Sequence, residues 1–88
     1  LSSRWAAKEA FVKAIGTGFR KGIFWKDISV LNNLNGKPEL VIRGQAKVCL
    51  NSILPTNTSP IIHISISDEK EIVNAIVIIE ARDLNHLN

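Results

Sequence analysis

The stretch Arg4-Trp5-Ala6-Ala7-Lys8-Glu9-Ala10-Phe11-Val12-Lys13-Ala14-Ile15-Gly16-Thr17-Gly18 decides how this chain is read. Ser2 or Ser3 can cap a helix that runs to about Ile15. Trp5, Val12 and Ile15, with Phe11 and small alanines nearby, form its apolar stripe. Gly16 fits the left-handed position that ends a helix, and Gly18 keeps the following loop close to the backbone. Glu9 and Lys13 stand four residues apart, so they share a helix face.

Outward from this helix, Phe19 to Lys26 mixes bulky apolar and basic residues and is expected to be a loop. Asp27 to Asn32 alternates, with Ile28 and Val30 on one face, as a half-buried strand does. Asn35-Gly36 is a hairpin signal, Pro38 suits a strand start or edge, and Glu39 to Arg43 reads as the return strand. Gly44 to Ile53 predicts a short helix with Ala46, Leu50 and Ile53 turned inward and Cys49 buried. Pro55 to Pro60 reads as loop. Ile61 to Ser67 alternates strictly: Ile62, Ile64 and Ile66 on one face, Ile61, His63, Ser65 and Ser67 on the other. Asp68 to Glu71 is a charged turn, and Val73 to Ala81 has the β-branched run of a central strand buried on both faces. The fold class is therefore α+β, an antiparallel sheet packed against helices.

With 88 residues the chain makes one small domain, and 45% hydrophobic against 22% charged residues is an ordinary globular mixture and not a disordered one, with a polar tail from Arg82 expected to fray. A core of this size is modest, so self-association is a reasonable route to stability. The net charge of +3 is compatible with an anionic ligand, an acidic partner or nucleic acid, and selects none of them. A single cysteine rules out an internal disulfide framework and fits a reducing, cytoplasmic setting. No apolar run of about 18 residues is present to span a membrane as a helix. The chain lacks methionine and begins almost directly on a helix, so a fragment or processed piece is expected.

Several residues have a plain and a chemical reading. Glu9 with Lys13 is a common surface pair, but the same face can hold a divalent cation through the carboxylate and a phosphate through the ammonium. Lys8 points elsewhere and either steers a substrate or solubilises the helix. Gly16 and Gly18 are a helix stop and turn, or a close approach for a nucleotide. Asn35, Gly36, Lys37 and Pro38 are first a hairpin turn, and His63, Ser65 and Ser67 are first a polar strand face. A Ser-His-acid hydrolase is discounted, since the serines lie on a regular strand with no nucleophile elbow. Phe24, Trp25, Lys21 and Lys26 read better as core packing with a basic rim than as a nucleic-acid patch.

Trp5 to Lys13 matches the W/F-x-x-K-E-A-x-x-K signature and so resembles the 4'-phosphopantetheinyl transferases, most of all the short bacterial holo-acyl-carrier-protein synthases. The G-T-G loop, the D-I-x-V strand, the N-G-K-P hairpin, a G-x-A-K helix, the H-I-S-I-S strand and the closing apolar strand follow in the family's order. The functional expectation rests on this resemblance. It implies a 4'-phosphopantetheinyl transferase-like fold over residues 1–88 as a single incomplete domain, because family members open with a strand whose G-x-D aspartate is a second magnesium ligand.

The implied reaction moves 4'-phosphopantetheine from coenzyme A to a serine of apo acyl carrier protein, for fatty acid synthesis, and releases adenosine 3',5'-bisphosphate. The resemblance makes Glu9 a Mg2+ ligand and has Lys13 neutralise a phosphate of coenzyme A. Gly16 would approach the nucleotide, Asn35, Gly36, Lys37 and Pro38 would lie near the adenosine end, and His63, Ser65 and Ser67 would line the cleft. Arg20, Lys21 and Lys26 would form a basic rim for the acidic carrier protein. A homotrimer with active sites between subunits is implied too. Asp68 departs from the family, which commonly has histidine there; an acid cannot replace a cation beside phosphate. Two alternatives remain, a non-catalytic module that binds coenzyme A or the carrier, and a piece of a transferase domain fused to a larger synthase. A nucleic-acid role and a membrane role are not expected.

Overall fold

The computed structural model describes residues 2–16 and 25–86. Ser2 caps the first helix, α1 (Ser3–Ile15), its Oγ accepting from the Trp5 amide at 3.1 Å. Gly16 closes it in the left-handed region at φ 70°, its amide donating to the carbonyls of Val12 and Lys13. Helix start and stop are those expected from the sequence. Gly18, Phe19, Arg20, Lys21 and Phe24 lie outside the described residues.

A single 3-10 turn, Trp25–Asp27, leads into β1 (Ile28–Asn32), which pairs antiparallel with β2 (Pro38–Ile42). Ile28 and Val30 are buried as the alternation predicts. The turn between the strands is organised from Asn33. Its Oδ1 accepts from the amides of Asn35 at 2.8 Å and Lys37 at 3.0 Å. The Gly36 amide donates to the Asn33 carbonyl and Gly36 sits at φ 78°. This is a type I turn followed by a left-handed glycine, the longer hairpin loop, and not a two-residue Asn-Gly turn. Pro38 stands at the strand start, as expected.

Helix α2 (Gly44–Ser52) turns Ala46, Cys49 and Leu50 inward. Ile53, expected inward, is 46% exposed, because the helix ends at Ser52 and the isoleucine falls at its C-cap. The long hairpin β3 (Thr58–Glu69) and β4 (Ile72–Asp83) follows. It corrects two boundaries. The strand begins at Thr58 and takes in Pro60, which was expected in loop; among the described residues β3 is paired with β4 alone, and such an edge strand tolerates the missing donor of proline. The charged turn shrinks from residues 68–71 to Lys70 and Glu71, since Asp68 and Glu69 pair with Val73 and Ile72.

Among the described residues the sheet is also divided, as two separate two-stranded antiparallel ribbons, β1–β2 and β3–β4. β2 lies beside β3 without a shared ladder. β4 is therefore not a central strand buried on both faces. Val73, Ala75, Val77 and Ile79 face inward and are half-buried, but Ile72, Ile76 and Ile78 are 64%, 61% and 57% exposed. A continuous β-branched run looks the same whether or not a second layer covers it. The core joins both helices and both ribbons: Phe11, Val12 and Ile15 of α1, Ile28 of β1 and Ala46, Cys49 and Leu50 of α2, flanked by Leu40, Ile62, Val77 and Ile79 from the ribbons. Phe11 is fully buried, a contribution of about 1.5–3 kcal/mol.

Candidate functional site

Two groups of the expected residues come forward in different places. The first is carried by α1. Glu9 is half-buried and Lys13 exposed, on one helix face. Among the described residues no ion pair joins them, so the simple surface-pair reading is not what the structure shows. Gly16 follows on the same helix end. Lys8 points away from Glu9, and its Nζ donates to the Trp25 carbonyl at 3.2 Å. It neither reaches freely into solvent nor serves only as a solubilising charge.

The second group lines an open groove of about 400 Å³ between the start of β2 and the edge of β3. Lys37 and Pro38 enter it from the hairpin, His63 and Ser65 from β3. Asn35 and Gly36 stay exposed at the hairpin tip, and Ser67 lies further along β3; none of these three lines the groove. The α1 group does not line it either. Asp68 borders another open groove, beside Ser2 and Ser3 at the N-terminus of α1.

Sequence reasoning missed two side chains here. Asn33 holds the turn that presents Lys37 and also donates from Nδ2 to Glu39 Oε1 at 3.1 Å. Asn two residues before a second turn residue is the recognisable signal. Glu80 Oε1 is hydrogen-bonded to His63 Nε2 across the β3–β4 ribbon, with both side chains exposed. His63 pairs in register with Ile78, so Glu80 is its diagonal neighbour. That pair was legible only once the register was known.

Among the described residues no three His, Cys, Asp or Glu side chains gather as a metal cluster. The donor set offered by α1 is the single carboxylate of Glu9. Magnesium commonly takes one or two protein carboxylates and completes its shell with water and substrate phosphate, so this donor fits part of such a site. No helix among the described residues is long and apolar enough to cross a membrane.

The helix-borne Glu9 and Lys13, the Lys37 hairpin and the His63–Ser65 strand fall within a segment that matches a known family. The model of the 4'-phosphopantetheinyl transferase superfamily covers residues 1–73. A holo-[acyl-carrier-protein] synthase of Rhizobium leguminosarum bv. trifolii (strain WSM2304) is 49% identical over 80 residues, 91% of this chain and 60% of that protein. The enzyme of the same name from Erythrobacter litoralis (strain HTCC2594) is 48% identical over 80 residues, with the same shares. The one from Ruegeria sp. (strain TM1040) is 45% identical over 83 residues, 94% of this chain and 58% of that protein. The chain thus spans about 60% of the length of the curated relatives it matches. With most of its length matched by the family model, the chain belongs to the 4'-phosphopantetheinyl transferase superfamily.

Proposed function

We propose that this chain carries part of a holo-acyl-carrier-protein synthase, which transfers 4'-phosphopantetheine from coenzyme A to a serine of apo acyl carrier protein for fatty acid synthesis. The name and the 49% identity of the relative from Rhizobium leguminosarum carry this reading. The serine oxygen bonds to the phosphorus that bears pantetheine, and the bond to the adenosine-side phosphate breaks, releasing adenosine 3',5'-bisphosphate. Residues 1–88 form a single domain that is incomplete relative to the family.

Glu9 would hold the Mg2+ ion, which when bound supplies charge neutralisation at the pyrophosphate. Lys13, four residues on and exposed, binds a substrate phosphate and offsets the charge that develops on the leaving group. Gly16 approaches the nucleotide with its backbone. Lys37 and Pro38 contact the adenosine end, with Asn35 and Gly36 shaping the turn, and His63, Ser65 and Ser67 orient the substrate along β3. The shared groove of Lys37, Pro38, His63 and Ser65 supports that grouping.

The partner protein is acidic acyl carrier protein, and a homotrimer places the active sites between subunits. The exposed isoleucines of β4 support an assembly through that face. A cytoplasmic location accords with the unpaired, buried Cys49.

The test is the intact mass of apo acyl carrier protein after incubation with this protein, coenzyme A and magnesium, with Glu9→Ala as control. A gain of one phosphopantetheine that the control loses is the expected result. Gain only after a G-x-D strand is added upstream makes the chain an incomplete catalyst. No gain in either form sinks the transferase reading and leaves a binding module.

A further inference from the structure

The chain has two tryptophans, and they touch: the ring centroids of Trp5 and Trp25 are 4.3 Å apart, with planes tilted by 58°. Lys8 stands three residues after Trp5, so both side chains leave α1 on neighbouring turns of one face. Its ammonium donates to the carbonyl of the same Trp25 at 3.2 Å. One helix face thus holds one residue twice, by its ring and by its backbone.

What Trp25 is attached to gives the contact its consequence. It opens the Trp25–Asp27 turn. The Asp27 carbonyl accepts from the Arg43 amide at 2.8 Å, and its carboxylate lies against Gly44 at the start of α2. Ile28 follows at once and is fully buried. A continuous set of contacts therefore runs from α1 to the starts of α2 and of the β1–β2 hairpin. α1 carries Glu9 and Lys13, and the hairpin carries Lys37.

We propose that Lys8 is a positioning residue: with Trp5 it clamps Trp25, and so fixes the helix that carries Glu9 and Lys13 relative to the hairpin that carries Lys37. This rests on the transferase reading, which makes those two groups parts of one site. Lys8 then touches no substrate. It sets where Glu9 and Lys13 meet the phosphates of a substrate whose adenosine end the hairpin holds, and small displacements of reacting groups are felt mainly in the chemical step.

Two indoles this close couple their transitions, so the clamp has its own signal, an exciton couplet in the circular dichroism, with no tyrosine in the chain to overlap it. The couplet and the transfer kinetics are measured on the same protein, as differences between variant and wild type. Lys8→Met keeps the aliphatic stem and removes the donor, and Lys8→Arg keeps a donor. Lys8→Met is expected to lower the couplet by about half and kcat about tenfold, with KM for coenzyme A within about twofold. Lys8→Arg is expected to retain most of both.

An unchanged couplet in Lys8→Met overturns the clamp. A raised KM with kcat intact overturns it as well, and marks Lys8 as a cation that binds substrate. Should Lys8→Met fail to fold, Trp5→Leu loosens Trp25 from the ring side; kcat must fall at unchanged KM there, and an intact kcat overturns the proposal. A wild type that shows the couplet but transfers no phosphopantetheine, with or without an upstream G-x-D strand, overturns the transferase reading, and the positioning role with it. A wild type that transfers while Lys8→Met keeps its couplet overturns the clamp alone.

Discussion

The carboxylate of Asp27 lies so close to Gly44 that a Cβ added there would stand 2.7 Å from its Oδ2. Gly44 is also at φ +56°, in the left-handed region. A side chain at this position meets two obstacles, one conformational and one steric. Gly36 has only the first: it sits at φ +78° with nothing within 4 Å of an added Cβ.

Gly36→Ala is therefore expected to destabilise the fold by about 1 kcal/mol and Gly44→Ala by about 2–3 kcal/mol. Urea unfolding midpoints check this. Asp27→Ala in the Gly44→Ala background should recover the steric part and leave the conformational part, a coupling that a double-mutant cycle measures. Equal losses at the two glycines would show that the Asp27 contact relaxes at no cost.

Phe11 and Ile28 belong to one core cluster, both at 0% exposure. Ile28→Val removes one methylene and is expected to cost about 1 kcal/mol, within the cooperative range of a small domain. Phe11→Ala leaves a cavity between α1 and the ribbons and is expected to cost about 3–5 kcal/mol. Much of the stability of an 88-residue domain is then gone, and thermal unfolding should lose its sharp transition. A mild effect at Phe11 would mean that the surrounding side chains collapse into the space.

α1 was legible end to end because its signals are local. Ser2, the apolar stripe through Phe11 and Ile15, and Gly16 each act within a turn or two of the chain. The alternation of Ile62, Ile64 and Ile66 against His63, Ser65 and Ser67 was equally plain, since a strand's period is written in the sequence itself. What failed depends on distant partners. Whether Ile76 and Ile78 are covered is decided by what lies over β4, and no local pattern carries that. The division into two ribbons was hidden for the same reason. At the site, His63, Ser65, Lys37 and Pro38 were each singled out from sequence, but their common groove comes from β2 lying beside β3. Lys8 was ambiguous, because its partner is a carbonyl seventeen residues away.

The outer face of β4 is the natural place to test assembly. Ile72, Ile76 and Ile78 lie on one side of the strand and are all more than half exposed. If the proposed trimer forms through this face, Ile76→Glu places a charge in its centre and should shift the protein to monomer in sedimentation velocity. The inward face keeps its packing, so far-ultraviolet circular dichroism should change little. A variant that sediments like the wild type would move the interface elsewhere.

The groove and the helix should separate in kinetics. Lys37 lines the groove from a turn that Asn33 holds through two amide contacts, and in the proposed site its ammonium would act on bound substrate and not on the chemical step. Lys37→Ala is expected to raise KM for coenzyme A about tenfold, equivalent to about 1.4 kcal/mol of lost binding, with kcat nearly unchanged. Asn33→Ala leaves Lys37 in place but loosens its turn, and should produce a smaller rise in KM. Glu9→Gln, on α1, removes the charge that the proposed mechanism uses as the phosphate bond breaks, and should lower kcat far more than it changes KM. Steady-state transfer to apo acyl carrier protein at varied coenzyme A measures all three. A kcat loss at Lys37 as large as that at Glu9 would mean that the groove takes part in the chemistry itself, and that the hairpin and α1 meet around the same phosphates.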